Sequence, residues 1–348
     1  MIAQKTLTIA LLGNPNTGKS TFFNALTGLH QHVGNWPGKT VEKAEGFARL
    51  SDGRRIRIVD LPGTYALHAE SPEERIACEF LLSGEADAVI VVADATNLAR
   101  NLYLVLQALE LTDKVVVALN MMDEAEAKGL RIDTKRLSAL LGVPVVPMVA
   151  VKGEGVMEAL QTAVAVAEGV TPTHPVKPRY GLLVETCVQK LLPHIQRVVN
   201  GQWQKAGRWL ALRVLEGDEL ALSWLAKEDG DLRRVLDECR REAEGFGTSL
   251  DLEIARNLHE HAETIARAVV TQVRRPNRYW RIGRWSLSVS DWTEALDNLL
   301  THRWLGIPLT LAIFGGIFWL TAVGANKPSA LLEEGVSWLI SNLRAFAN

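Results

Sequence analysis

The sequence predicts an α/β domain on a mostly parallel sheet, then a small all-helical domain and one transmembrane helix. Three observations lead there. Short apolar runs alternate with helix-length segments through residues 7–150, a proline cluster then gives way to apolar residues spaced by three and four, and the 21 residues from Leu305 to Ala325 carry no charge. A length of 348 residues suits more than one domain, because single cores usually stop growing below about 250 to 300 residues.

The elements follow in order. "LTIALLG", "IRIVDLPG", "AVIVVADA", "KVVVALN" and "VPVVPMVA" are apolar on both sides, as strands covered on two faces must be. Ser20 to Thr27, Pro72 to Ser83, Asn101 to Glu110 and Gly155 to Ala167 have helix length between and after them. "EGVTPTHPVKP", with Pro172, Pro175 and Pro178, breaks this rhythm and sets a boundary between a domain 1–170 and a helical domain 171–273. There "RWLALRVLEGDELALSWLA" and "LEIARNLHEHAETIARAVVTQV" repeat apolar residues at helical spacing.

A linker, 274–303, leads to the expected span, 304–326. As a helix, Leu305 to Ala325 measures about 31 Å against a hydrocarbon core of about 30 Å. Trp304, Trp319, Arg303 and Lys327 suit its interfaces, while Pro308, Thr310, Thr321 and Gly315-Gly316 leave a buried core helix as the alternative. Arg274, Arg275, Arg278, Arg281, Arg284 and Arg303 precede the run, whereas Lys327, Arg344, Glu333 and Glu334 follow it. That bias keeps the N-terminal part cytoplasmic. Residues 328–348, with Leu331, Leu332, Val336, Leu339, Ile340 and Leu343 on one face, read as an interfacial amphipathic helix on membrane lipid.

Composition excludes some functions. A net charge of −2 with 22% charged residues supplies no basic field, so nucleic acid is not the expected partner. Cys78, Cys187 and Cys239 are too scattered for a disulfide framework or thiolate cage and fit a reducing compartment. Leu7 to Leu12 reads as a strand, so no cleaved signal peptide is expected.

Chemistry concentrates in four places. Gly13-Asn14-Pro15-Asn16-Thr17-Gly18-Lys19-Ser20 fits G-x-x-x-x-G-K-[ST] between a strand and a helix. Its glycines let backbone N–H groups curl around phosphate, Lys19 reaches the outer phosphates, Ser20 holds Mg²⁺ and Thr21 continues the helix whose positive end faces the anion. In "VDLPG", Asp60 sits where it can hold the Mg²⁺ water shell, and Gly63 where its N–H can meet the terminal phosphate. In "ALNMMD", Asn120 and Asp123 match the N-x-x-D guanine reader. Its carboxylate accepts from a donor pair that adenine lacks, so GTP is favoured over ATP. Met121 replaces the usual lysine there, which predicts weaker nucleotide binding. In "MVAVKG", the Val149-Ala150-Val151 turn could offer the Ala150 N–H to the guanine oxygen, but its usual serine is missing and a plain strand-end turn fits as well. The fold class is thus a P-loop GTPase (Ras-like) domain.

Thr64 stands where many GTPases carry a water-orienting glutamine, which predicts slow hydrolysis. Asn16 could hold a charge-neutralising monovalent cation beside the phosphates or simply stabilise the loop; the residues leave both open. "HQHVGNWPGKTVEKAEG" reads as a mobile loop with Thr40, after Gly38 and Lys39, as a Mg²⁺ ligand that joins when the terminal phosphate is present. His30 and His32 lack carboxylate or cysteine partners and read as surface residues.

"GNPNTGKST", "VGNWPGKTVE", "DLPGTYAL", "ATNLARNLYL" and "NMMD", then a helical domain, then "THRWLGIPL", together resemble the bacterial ferrous iron transport protein B (FeoB) family across the whole chain. The resemblance implies GTP-dependent control of Fe²⁺ uptake at the inner membrane, with GTP/GDP, Mg²⁺ and K⁺ as cofactors and a small regulatory partner. The helical part would be the family's spacer, or GDI-like, domain between nucleotide and pore. The resemblance also implies that Asn16 binds an activating K⁺ with carbonyls near Trp36, that Thr40 is the switch threonine, and that Asn16, Lys19, Thr40 and Gly63 serve catalysis. The family continues through further crossings that this chain lacks, so the Fe²⁺ path is expected outside it. The alternatives are a soluble P-loop GTPase of the ribosome/tRNA-assembly type and a nucleotide-sensing module with negligible turnover.

Overall fold

The computed structural model describes residues 6–28, 31–36, 41–68, 71–199, 206–225, 230–273, 280–282, 285–287 and 306–324. Gly38, Lys39 and Thr40, His30, most of the linker, both ends of 304–326 and all of 328–348 lie outside them. The chain divides into two compact units, Met1–Arg274 and Arg275–Asn348.

The first unit is organised by a seven-stranded sheet. β1 (Thr8–Gly13), β2 (Gln31–Asn35), β3 (Glu42–Arg49), β4 (Arg55–Asp60), β5 (Ala88–Asp94) and β6 (Val115–Asn120) belong to it, while β7 (Leu130–Ile132) stands apart and β8 (Val145–Pro147) closes its far edge. The order is β2-β3-β4-β1-β5-β6-β8. From β4 to β8 neighbours are parallel, as runs apolar on both faces require. Along β1, Ile9 and Leu11 enter one core and Ala10 and Leu12 the other.

Helices α1 (Lys19–Thr27) and α6 (Val156–Ala167) pack on the first face; α2 (Pro72–Ser83) and α3 (Leu98–Leu111) pack on the second. Ser71 and Glu74 form a reciprocal capping box at the start of α2, with Pro72 in its first turn, which explains why the sequence signals that start so clearly. Two short helices, α4 (Met122–Ala127) and α5 (Thr134–Leu141), flank β7.

The stretch expected to be a mobile loop differs: its flanks are the antiparallel strands β2 and β3, with Gln31 opposite Gly46 and Asn35 opposite Glu42. β3 sets its small buried residues, Gly46 and Ala48, between Glu45, Phe47 and Arg49. Such a pattern carries little hydrophobic signal. Its cross-strand partner supplies the specificity, through Glu45 and Arg57 at 2.7 Å.

Beyond the proline-rich stretch come α7 (Leu182–Val198), α8 (Gly207–Glu216), α9 (Glu219–Leu225), α10 (Gly230–Gly245) and α11 (Leu250–Val269). Their apolar faces do not form a separate core. Leu191, Leu210, Ile254 and Leu258 join one continuous cluster with Leu102, Leu106 and Leu109 of α3. β9 (Val270–Gln272) then turns back and pairs antiparallel with β7, Leu130 opposite Gln272.

The second unit holds an antiparallel pair, β10 (Trp280–Ile282) with β11 (Trp285–Leu287), and α12 (Gly306–Gly324). The helix has 19 residues, about 28 Å at 1.5 Å per residue, and exposes Leu311, Phe314, Phe318 and Trp319. Among the described residues no helix is long and apolar enough to cross a membrane.

Candidate nucleotide site

The site begins where β1 runs out between two neighbours. A Cβ at Gly13 would stand 2.7 Å from the Val92 carbonyl of β5, so only glycine allows so close a register. The chain then curls. Thr17 Oγ1 donates to the Asn14 carbonyl at 2.9 Å, Asn16 takes a left-handed φ of 66°, and Gly18, at φ 82°, delivers the backbone into α1. Asparagine tolerates that conformation better than most side chains. No acidic residue occupies the first turn of α1, so its positive end is not neutralised locally. That end faces a cavity of about 450 Å³ lined by Asn14, Pro15, Asn16, Gly18, Lys19, Ser20, Thr21 and Gly63. Ser20 is exposed at its wall.

Lys19 and Asp60 meet in this cavity. The ammonium bonds the Asp60 carboxylate and the Leu61 carbonyl at 2.5 Å. Burial pushes the Asp60 carboxyl above its ordinary range, and the lysine charge opposes that rise. Gly63 approaches the loop so closely that a Cβ on it would touch Pro15 at 3.5 Å. Thr64 is buried, donates its N–H to the Gly13 carbonyl at 3.2 Å, and commits its hydroxyl to the Ala66 carbonyl at 2.6 Å.

The base side is built by three segments. Asn120, at the end of β6, donates from Nδ2 to the Thr17 carbonyl at 2.8 Å and accepts at Oδ1 from the Ala150 N–H at 2.9 Å. It therefore ties the phosphate loop to the 149–154 turn, and the amide expected for the guanine oxygen bonds a side chain here. Met121 adopts φ 62°, which aims the next turn, and Asp123, outward. Asp123 accepts from its neighbour Glu124 N–H at 3.0 Å and pairs with Lys152 Nζ at 2.7 Å. That bond holds the Asp123 carboxyl below its ordinary range. Val149 pairs with Glu154 across the turn, and Val151 projects into solvent.

Trp36 donates its backbone N–H to Val41 at 2.9 Å and sets its ring edge-on to Phe80, centroids 5.5 Å apart. Gly38, Lys39 and Thr40 are not among the described residues. Within those residues no group of three or more His, Cys, Asp or Glu could hold a metal ion.

Sequence reasoning missed two sets of residues. Lys152 has no motif of its own; its signal was only a cation just past the Ala150 turn. The other set is the contact from α8 onto the stretch after Gly63. Arg213, fully buried, donates to the Leu67 carbonyl at 3.3 Å and pairs with Glu216 at 2.5 Å. His68 lies 3.1 Å from Gln107 and 3.6 Å from Glu216. Burial, with the Arg213 charge beside it, pushes its imidazole down to about 3, so it is neutral at physiological pH.

A curled amide loop on a helix N-terminus, a D-x-x-G glycine against it and an N-x-x-D segment stitched to it define a P-loop GTPase domain, Ras-like in its sheet, with a helical domain appended. Residues 7–163 match the family described as ferrous iron transport protein B, and residues 180–271 match the FeoB cytosolic helical domain. The Fe(2+) transporter FeoB of Escherichia coli (strain K12) is 38% identical over 96% of this chain and 42% of its own length. A Porphyromonas gingivalis Fe(2+) transport protein A/Fe(2+) transporter FeoB fusion is 36% identical over 97% of this chain and 39% of its own. Among solved structures, an S. thermophilus NFeoB mutant bound to GDP superposes with a TM-score of 0.70 at 34% identity, covering 76% of this chain and 100% of that one. The cytosolic domain of T. maritima FeoB in apo form gives 0.66 at 37%, covering 77% and 100%. The chain belongs to the FeoB family. It spans about two fifths of the length of the curated relatives it matches.

Proposed function

We propose that this chain binds GTP and GDP with Mg²⁺, hydrolyses GTP slowly with stimulation by K⁺, and so regulates Fe²⁺ uptake across a bacterial inner membrane. The observation that carries this reading is the juxtaposition of the phosphate cavity, Asp60 and Gly63 with the Asn120–Asp123 segment, in a chain of this family. Gly13 to Thr21 would hold the phosphates, and Asn120, Met121, Asp123 and the Val149–Val151 turn would hold the base. Ser20, Asp60 and Thr40 are hard oxygen donors suited to Mg²⁺; the metal would supply charge neutralisation at the outer phosphates. Asn16, exposed at the cavity rim in a left-handed turn, offers a side-chain oxygen for K⁺, together with carbonyls near Trp36. Slow turnover is supported by Thr64, whose buried hydroxyl is engaged with Ala66 and presents nothing to a water at the terminal phosphate. Lys19 and Gly63 would stabilise charge there.

We read residues 1–170 as the nucleotide domain, 171–273 as the spacer and 274–303 as a linker. Residues 304–326 would span the membrane, a reading carried by the uncharged run from Leu305 to Ala325 in the sequence although α12 as described is not by itself a span, with 328–348 at the interface and the N-terminal domains cytoplasmic. The Fe²⁺ path would lie in a membrane domain outside this chain. The fused relative supports a small partner protein. The test is single-turnover hydrolysis of GTP and ATP by the purified chain with Mg²⁺, in K⁺ and in Na⁺. Hydrolysis of GTP alone, faster in K⁺ and made insensitive to the cation by Asn16→Ala, is expected; equal use of ATP, or a rate indifferent to the cation, overturns the respective part.

A further inference from the structure

The carboxylate that reads guanine in the proposed function already has a partner within the protein. Asp123 would accept a donor pair from the base, one donor on each oxygen. In the structure one oxygen receives Lys152 Nζ at 2.7 Å and the other the Glu124 N–H at 3.0 Å. Lys152 ends the short 3₁₀ turn Ala150–Lys152. Its backbone is fixed, because the Ala150 N–H is bound to Asn120 at 2.9 Å and Val149 pairs with Glu154. Its side chain is 54% exposed, that of Asp123 38%.

We propose that Lys152 is a latch on Asp123: in the empty site it occupies the carboxylate that guanine requires, and the base must displace it to bind. The proposal rests on the guanine reading above and adds to it a residue that sets affinity and selectivity.

The physical balance favours a latch over a lock. An ion pair this exposed gains little in water, whereas two parallel donors on a planar base match both carboxylate oxygens at once. The base therefore wins, but against a competitor. Position 121, where a cation would flank the carboxylate from its own segment, is methionine, so the turn supplies the neutralising charge. Adenine, which offers no donor pair, has no reason to displace Lys152. The latch thus weakens guanine binding without weakening adenine binding, and its removal sharpens selectivity.

The experiment is calorimetric titration of the whole chain in detergent with GDP and with ADP, both with Mg²⁺. Lys152→Ala is expected to bind GDP about two- to fivefold tighter, the range over which an exposed ion pair acts. ADP affinity should not change, and Lys152→Arg, which keeps the charge, should behave as the parent. In an Asp123→Ala background the same lysine substitution should have no effect. Unchanged or weaker GDP binding by Lys152→Ala overturns the latch, because the lysine would then be idle or itself hold the nucleotide. Tightening that persists without Asp123 overturns it too. A parent chain that does not prefer GDP to ADP removes the guanine reading, and the latch with it.

Discussion

Gly18 carries two constraints in one residue. Its φ of 82° is left-handed, and a Cβ there would stand 2.3 Å from Asn120 Nδ2. The second constraint links the phosphate loop to the base segment, since the same Nδ2 bonds the Thr17 carbonyl at 2.8 Å. Gly18→Ala should therefore do more than strain a turn. About 1–3 kcal/mol of backbone strain would appear as a lower urea midpoint, and displacement of Asn120 should cut GDP affinity at least about tenfold in a fluorescence titration. A variant that binds GDP normally would show that the loop and the base segment are not coupled through this contact. The phosphate loop was legible in the sequence because its constraints are local: glycines, lysine and serine lie within eight positions and need only a strand before and a helix after. Asn120 was legible as a motif member but not as a tie, because its partners Thr17 and Ala150 are 103 and 30 residues away. Lys152 was illegible for the same reason.

Between elements, Arg208 of α8 is a polar junction that joins three segments. Its guanidinium bonds Glu110 of α3 at 3.2 Å, Glu185 of α7 at 2.8 Å and the Pro178 carbonyl at 3.1 Å. Glu110 is almost wholly buried, and burial pushes its carboxyl above the ordinary range despite the Arg208 charge. The Arg208 bond instead holds Glu185 below its range. The signs differ. A raised carboxyl favours folding below its ordinary value and loses that contribution as pH rises through the folded one; a lowered carboxyl contributes above its ordinary value and loses this as pH falls. Arg208→Met should strand Glu110 and cost about 3 kcal/mol at neutral pH, the low end for a broken buried pair, since Lys177 remains nearby. The deficit should shrink as pH falls, because Glu110 then becomes neutral, while the share owed to Glu185 persists until pH falls through its lowered value. Urea unfolding at pH 7.5 and near pH 4.5 measures both, and adding Glu110→Gln should recover most of the loss. Strands β1, β5 and β6 were legible because both faces are apolar and buried, β4 by its Ile56, Ile58 and Val59, and β8 because the apolar run from Val143 to Ala150 extends beyond its three residues. β3 was not, since Gly46 and Ala48 mark its buried face, nor was β2, which pairs with β3 at the edge of the sheet, and β7 and β9 are three residues long with a polar residue among them.

At the scale of the molecule, the question is where the nucleotide-binding part ends as a folding unit. The amphipathic helices suggested a second domain with its own core, yet contacts group everything to Arg274 in one compact unit. Closure comes from the far end of the helical part. β9 pairs with β7, which begins seven residues after Asp123, the Val273 N–H bonds the Gly129 carbonyl at 2.8 Å, and a Cβ on Gly129 would meet the Val273 carbonyl at 2.8 Å. Two truncations separate the possibilities. A chain ending at Arg274 keeps this pairing and should bind GDP as the full chain does, while no longer sedimenting with lipid vesicles, since it loses the exposed apolar α12. A chain ending at Val269 loses β9 and leaves β7 unpaired; with net gains of about 0.5–1.5 kcal/mol per backbone hydrogen bond, it should unfold at a lower urea concentration. It should also bind GDP more weakly, because the segment carrying Asp123 is then held at one end only. Equal GDP affinity in the two truncations would mean that β9 merely covers an edge. A weaker affinity in the shorter chain alone would show that the last strand before the linker holds the base segment in place, a mechanical connection between nucleotide and whatever the chain enters beyond Arg274.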